Sequence, residues 1–133
     1  MASAESYRDL KVWQRAIELS FSIYKLTEAF PRDEMYGLTS QIRRAPVSIA
    51  SNIAEGQGRC TAGEFRQFLG MARGSNLELQ TQLVIAGKLG YGGPAGISQC
   101  ESLSFEVNTH DQRFDEESVR GADAHNSQLT PRN

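Results

Sequence analysis

The chain has 133 residues, 39% of them hydrophobic and 23% charged, with a formal net charge of −2. This length can bury one core without metal or disulfide staples, and this composition excludes an intrinsically disordered chain. No apolar run is long enough to span a bilayer, and the opening residues Met1-Ala-Ser-Ala-Glu-Ser6 lack the charged and apolar regions of a signal peptide. A cytoplasmic protein with no membrane partner is therefore expected. Charge is uneven: residues 1–90 carry 11 Lys/Arg and 9 Asp/Glu, whereas residues 91–133 carry 3 and 7. A mildly basic body permits a local cationic face. Cys60 and Cys100 form no CxxC pair and read as idle thiols in a reducing compartment.

The first helix is expected over about residues 7–30, capped by Ser6 or Asp9 and stopped by Pro31. Its apolar residues fall in two stripes at helical spacing. One holds Leu10, Trp13, Ile17 and Tyr24; the other holds Val12, Ala16, Leu19, Ile23, Leu26 and Phe30. A bundle helix needs one wide stripe, so the excess points to a second subunit, with a well-wrapped core as the other reading. Val12, Leu19, Ile23 and Leu26 are the candidate oligomer-interface residues. The second helix is expected over 34–57, opened by Asp33, with Leu38, Ile42, Ala45, Ile49 and Ile53 as its seam. Pro46 lies inside it and removes the amide donor for the Ile42 carbonyl, which predicts a kink.

The third helix is expected over 62–89. Thr61-Ala-Gly-Glu64 is a capping box at its start, and Gly90 suits a left-handed stop at its end. Phe65, Phe68, Leu69, Ala72, Asn76, Leu79, Leu83 and Ala86 mark its buried side, with Asn76 as a register-setting buried amide. Pro94 suits the first turn of a fourth helix over about 95–114, where Ile97, Cys100, Leu103 and Val107 keep the seam. The period fades after Val107, and residues 121–133 read as a disordered acidic tail. Strand signals are absent. The pattern predicts an all-α, antiparallel up-down four-helix bundle over residues 1–120, its fourth helix short or irregular.

Several of these segments together resemble a known family. Asp9-Leu-Lys-Val-Trp-Gln-Arg-Ala16, Phe30-Pro31, Gly37-Leu-Thr-Ser-Gln-Ile-Arg-Arg44 and Val47-Ser-Ile-Ala-Ser-Asn-Ile-Ala-Glu-Gly56 occur in that order. Glu64-Phe-Arg-Gln-Phe-Leu69, Ala72-Arg-Gly-Ser75, Glu78-Leu-Gln-Thr-Gln-Leu83 and Leu89-Gly-Tyr91 follow. The run over about residues 7–91 resembles the four-helix-bundle family of 23S rRNA intervening-sequence proteins. The resemblance implies a homopentamer with a central channel, no established enzymatic activity, and RNA as a suspected partner. A similar fold serves diversity-generating retroelements as an accessory protein that engages a reverse transcriptase. The tail departs from the family pattern, since His110-Asp-Gln-Arg-Phe114 and its neighbours do not continue the apolar repeat. An altered terminus after Val107 is the expectation.

Arg59, Arg66 and Arg73 recur every seven residues; Arg43 and Arg44 lie on the second helix, and Lys11 and Arg15 on the first. Rows of guanidinium groups suit phosphates, so these seven are the candidate nucleic-acid contacts. The competing reading pairs the arginines with Glu55, Glu64 and Glu78, within or between subunits; Glu55 and Arg59 stand in the favourable i,i+4 order. Asn52 and Glu55 could support acid–base chemistry, but satisfying a helix contact is the commoner use of such a pair. Trp13, Tyr24, Phe65 and Phe68 have core spacing, while Tyr7, Tyr36 and Tyr91 lie near helix ends.

No histidine occurs before residue 110, which weighs against a hydrolase triad. His110 and His125 lack partners at metal spacing, and no helix carries the ligand set of a bundle di-iron site. The expectation is a non-enzymatic homo-oligomer without metal or cofactor that binds structured RNA. The alternative is a protein adaptor for a polymerase or reverse transcriptase. An enzyme would have to use Glu55 and Cys60.

Overall fold

A computed structural model describes residues 6–59 and 61–108 of the chain. Four helices account for most of them: α1 (Lys11–Thr27), α2 (Leu38–Gln57), α3 (Ala62–Lys88) and α4 (94–108). The described residues contain no strand. The expected α-helical bundle is thus the observed fold class. The readings placed on residues 109–133, the irregular end of the fourth helix and the acidic tail, lie outside the described residues, as does Cys60.

Contacts at the two ends give the helix directions. Gly56 near the end of α2 touches Phe65 and Phe68 at the start of α3. Leu26, near the end of α1, meets Gly96 at the start of α4. Arg15, near the start of α1, reaches Glu106, near the end of α4. Neighbouring helices are therefore antiparallel and close into a ring, α1–α2–α3–α4. The core runs down its axis. Leu19, Ile23, Ile42, Ile49, Ile53, Leu69, Leu79, Leu83 and Val107 are all fully buried. Each such side chain contributes about 1.5–3 kcal/mol of transfer free energy.

Two helix starts differ from the sequence expectation. A separate 3-10 turn, Tyr7–Asp9, precedes α1, with Ser6 capping that turn through Arg8 N. Leu10 then adopts an extended backbone and is buried, so the helix begins only at Lys11. Asp33 does not cap α2. It lies inside a second 3-10 turn, Arg32–Glu34, after Pro31, and α2 starts at Leu38 from an N-cap at Gly37 that offers no side-chain acceptor. The end of α1 tightens into i→i+3 bonds from Glu28, Ala29 and Phe30, which carries the turn to the proline.

Thr61, Gly90 and Pro94 act as read. Thr61 Oγ1 accepts from Glu64 N at 3.1 Å. Gly90 has φ +77°, and its amide bonds Gly87 O while Tyr91 N bonds Ala86 O, the pair of bonds that closes a helix on a left-handed glycine. Pro94 is the first residue of α4. Pro46 is buried within α2, which stays helical through it.

The α1 stripes resolve in favour of the longer one. Val12, Ala16, Leu19, Ile23, Leu26 and Phe30 are buried in the chain's own core. Val12, Leu19, Ile23 and Leu26 consequently have no surface left for a second subunit, which corrects the interface expected at those four positions. The physical reason is continuity: their stripe runs unbroken along the helix and includes Ala16, fully buried, where a neighbouring helix can approach closely. The surplus apolar surface is the other stripe. Ile17 is 42% and Tyr24 47% exposed, and Phe21 beside them is 65% exposed. Tyr24 was expected in the core; instead it half-emerges beneath Arg43 of α2.

Candidate nucleic-acid interface

The seven basic residues expected to contact nucleic acid do not form one patch. Two tie helices together. Arg15 Nη1 meets Glu18 at 2.7 Å, and its Nε meets Glu106 of α4 at 2.9 Å. The hydrogen bond to Glu18, then the charge of Glu106, raises the already high Arg15 pKa. Arg43 Nε donates to Thr27 Oγ1 at 2.7 Å, and its guanidinium lies 4.7 Å from the Tyr24 ring centre. Thr27 is buried and donates to the Ile23 carbonyl, so Arg43 locks α2 onto the last turn of α1. A half-buried guanidinium engaged on both sides has little left for a phosphate.

Arg66 and Arg73 share a line on α3. Seven residues further on is Gln80, whose Nε2 donates to Ser104 Oγ of α4 at 3.0 Å. That line therefore runs along the α4 side of α3, with Arg66 exposed and Arg73 half-buried. Lys11 is exposed at the start of α1.

Arg44 and Arg59 belong to the opposite side of α3, in the groove it forms with α2. The Arg59 guanidinium stacks 4.8 Å from the Phe68 ring centre. Among the described residues it makes no ion pair with Glu55. Phe68 and Ser75 are one heptad apart, about 10 Å along α3, and Ser75 Oγ shares a hydrogen bond of 2.9 Å with Ser48 of α2. Beyond that pair the groove opens into a cleft of about 270 Å³ lined by Gln41, Arg44, Ala45, Ser48, Ser75 and Glu78. Arg44, Gln41 and Glu78 are exposed at its mouth, and Ala45 is its buried floor.

The polar shell around the cleft is organised from beneath. Asn52 Nδ2 donates to the Ser48 carbonyl at 2.8 Å and to Ser48 Oγ at 3.2 Å. Gln82, buried on α3, donates to Glu78 Oε1 at 3.3 Å. Asn52 thus serves the groove wall, the structural role that outweighed acid–base chemistry. Gln82 and the two serines gave no hydrophobic or charge signal and were missed by sequence reading. Their spacing of seven residues from Phe68 to Ser75 to Gln82 was the available clue.

Elsewhere, Asn76 is a buried interhelical amide. Its Nδ2 donates to the Ser104 carbonyl at 2.9 Å, and Ser104 Oγ donates back to Asn76 Oδ1. Tyr7 packs edge-on against Trp13 and Tyr91 tilts against Phe30, each with ring centres 5.3–5.4 Å apart. Tyr36 is 97% exposed. Burial pushes the Cys100 thiol up to about 11, so it remains protonated near neutrality. No three His, Cys, Asp or Glu side chains among the described residues are placed to hold a metal ion, and no helix there is long and apolar enough to cross a membrane.

Residues 8–110 match the family model described as 23S rRNA-intervening sequence protein. The chain belongs to this family. Comparison with curated proteins gives no significant match. In this family member the stretches that carried the resemblance have clear structural duties. Val47–Gly56 supplies Ser48, Asn52 and Gly56 to the α2–α3 contact, and Ala72–Ser75 with Glu78 supplies the facing wall.

Proposed function

We propose that this protein acts by association and not by catalysis: a homo-oligomeric helical bundle of the rRNA intervening-sequence type that binds structured RNA through the groove between α2 and α3. The observation that carries the reading is the division among its cations. Arg15 and Arg43 are engaged between helices, whereas Arg44 and Arg59 stand exposed in one groove, with the Phe68 ring under Arg59. A guanidinium placed like that of Arg59 grips phosphates and supplies affinity with little sequence discrimination. Membership in a family named for an insertion in rRNA supports the choice of RNA.

Self-association is supported by exposed apolar surface on two flanks, and it repeats a weak cationic groove in each subunit so that avidity compensates for modest contacts. Five subunits is the number the family resemblance implies. The exposed apolar line of α1 also suits a protein adaptor for a polymerase or reverse transcriptase.

Fluorescence anisotropy with a labelled RNA hairpin tests the reading. Affinity is expected to fall steeply with salt, and the variant Arg59→Ala to flatten the log–log salt slope by about 1, the loss of one phosphate contact. An intact oligomer that binds no RNA at low salt rejects the RNA role. A partner captured from lysate that persists after nuclease treatment favours the adaptor.

A further inference from the structure

The cleft at the head of the α2–α3 groove has chemistry that phosphate gripping does not use. Its two walls carry opposite charges, Arg44 with Gln41 on α2 and Glu78 on α3. Among the described residues Arg44 and Glu78 form no ion pair with each other, although they line one cleft. A phosphate is repelled by the carboxylate. Glu78 is nevertheless held in place, because the buried Gln82 donates to it. The far end is closed by the Ser48–Ser75 hydroxyl pair, itself fixed by Asn52. The result is an acceptor on one wall, donors on the other, and an alanine floor between them.

We infer that this cleft takes a guanine base, with Glu78 accepting from its N1–H and N2–H groups and Arg44 donating to its O6 and N7. The inference rests on the RNA-binding reading and names the nucleotide which that groove selects. Guanine presents two adjacent N–H donors on its Watson–Crick edge and two acceptors on its Hoogsteen edge. Adenine and cytosine offer a carboxylate no such donor pair. Arginine on guanine O6 and N7 is the commonest base-specific contact, and RNA is read mainly through unstacked bases whose edges are exposed. The cleft volume of about 270 Å³ suits one planar base, being smaller than the usual pocket for a drug-sized molecule. The flat face of the base would cover Ala45, and Arg59 lies one heptad along the same groove to hold the neighbouring backbone.

Labelled oligocytidine decamers with a central G, A or inosine, titrated by anisotropy against the full chain, test the site. The G decamer is expected to bind about tenfold tighter than the A decamer, the discrimination of one two-pronged base contact. Inosine, lacking the N2 amino group, falls between them. Glu78→Gln removes the G preference, so that the G and A decamers bind this variant equally; an unaltered melting temperature shows that it is folded. Equal binding of the G and A decamers, or a preference that survives Glu78→Gln, overturns the inference. Should no decamer bind at low salt, the RNA reading fails separately, and guanosine and adenosine monophosphates decide the cleft alone. Shifts of the Ser75 and Glu78 amide resonances with the guanosine nucleotide only sustain it; no shift, or equal shifts with both, overturns it.

Discussion

At Gly56 the sequence choice and the groove meet in one atom that is missing. A Cβ built there would lie 2.9 Å from Phe68 Cβ and 3.1 Å from Phe65 Cδ2. Phe65 is buried, and Phe68 carries the Arg59 guanidinium, so neither ring is free to retreat without disturbing the core or the groove. In an exposed helix, Gly→Ala gains about 1 kcal/mol through backbone propensity. Here overpacking costs about 1–3 kcal/mol and wins. Gly56→Ala is expected to lower the urea midpoint, with a net loss of up to about 2 kcal/mol. Gly74→Ala on α3, where an added Cβ meets nothing within 4 Å, is expected to raise it by up to about 1 kcal/mol. A stabilised Gly56→Ala protein would mean that α2 and α3 can spread at this end, and that the groove is not set by their close approach.

Among the helices, α4 shows what hydrophobic period can and cannot reveal. Its seam residues Ile97, Cys100 and Val107 were legible and are buried, with Leu103 packed against them. What joins it to α3 besides these is polar: Asn76, Ser104 and Gln80 bond one another across the junction. Asn76 stood out because it interrupted an apolar stripe. Ser104 and Gln80 did not, since serine and glutamine on a helix look the same whether they face water or a neighbour. The same limit misassigned the α1 stripes. Spacing reveals that two faces are apolar, but which one is inward depends on where the other three helices sit. Helix starts were missed for a local reason, the extended backbone at Leu10 and the separate turn holding Asp33. Asn76→Ala tests how much the polar junction contributes. It removes both bonds between Asn76 and the fully buried Ser104, leaving only that from Gln80, and opens a small cavity, so a loss of about 2–3 kcal/mol is expected in urea denaturation. A loss below about 0.5 kcal/mol would show that α4 is held by its apolar seam alone.

Across the whole bundle, seven exposed apolar residues fall on two opposite flanks, apart from those at the helix connections and on the outer side of α3. On α1, Ile17, Phe21 and Tyr24 follow helical spacing, and Arg43 over Tyr24 leads to Val47, exposed four residues along α2. On α3, Leu77 and Val84 flank Gln80 by three and four residues, and Gln80 bonds Ser104; both therefore face the α4 side, where Phe105 is 57% exposed. In a ring of helices the α1–α2 and α3–α4 junctions lie across the core from each other. Two unlike apolar flanks suit head-to-tail assembly, in which one flank of each protomer meets the other flank of the next and the ring closes. A two-fold dimer would use one flank twice. Phe21→Glu and Leu77→Glu separate these arrangements, because each places a charge at a site already 65% or 54% exposed and so leaves the fold intact. Size exclusion with light scattering is expected to give an oligomer for the unmodified chain and monomers for either variant. An equimolar mixture of the two variants is expected to give a one-to-one dimer, since the intact α3–α4 flank of one fits the intact α1–α2 flank of the other and nothing remains to extend it. If only one variant dissociates, a single flank makes the contact and head-to-tail assembly fails; a monomeric unmodified chain removes self-association altogether, and with it the avidity on which weak RNA binding depends.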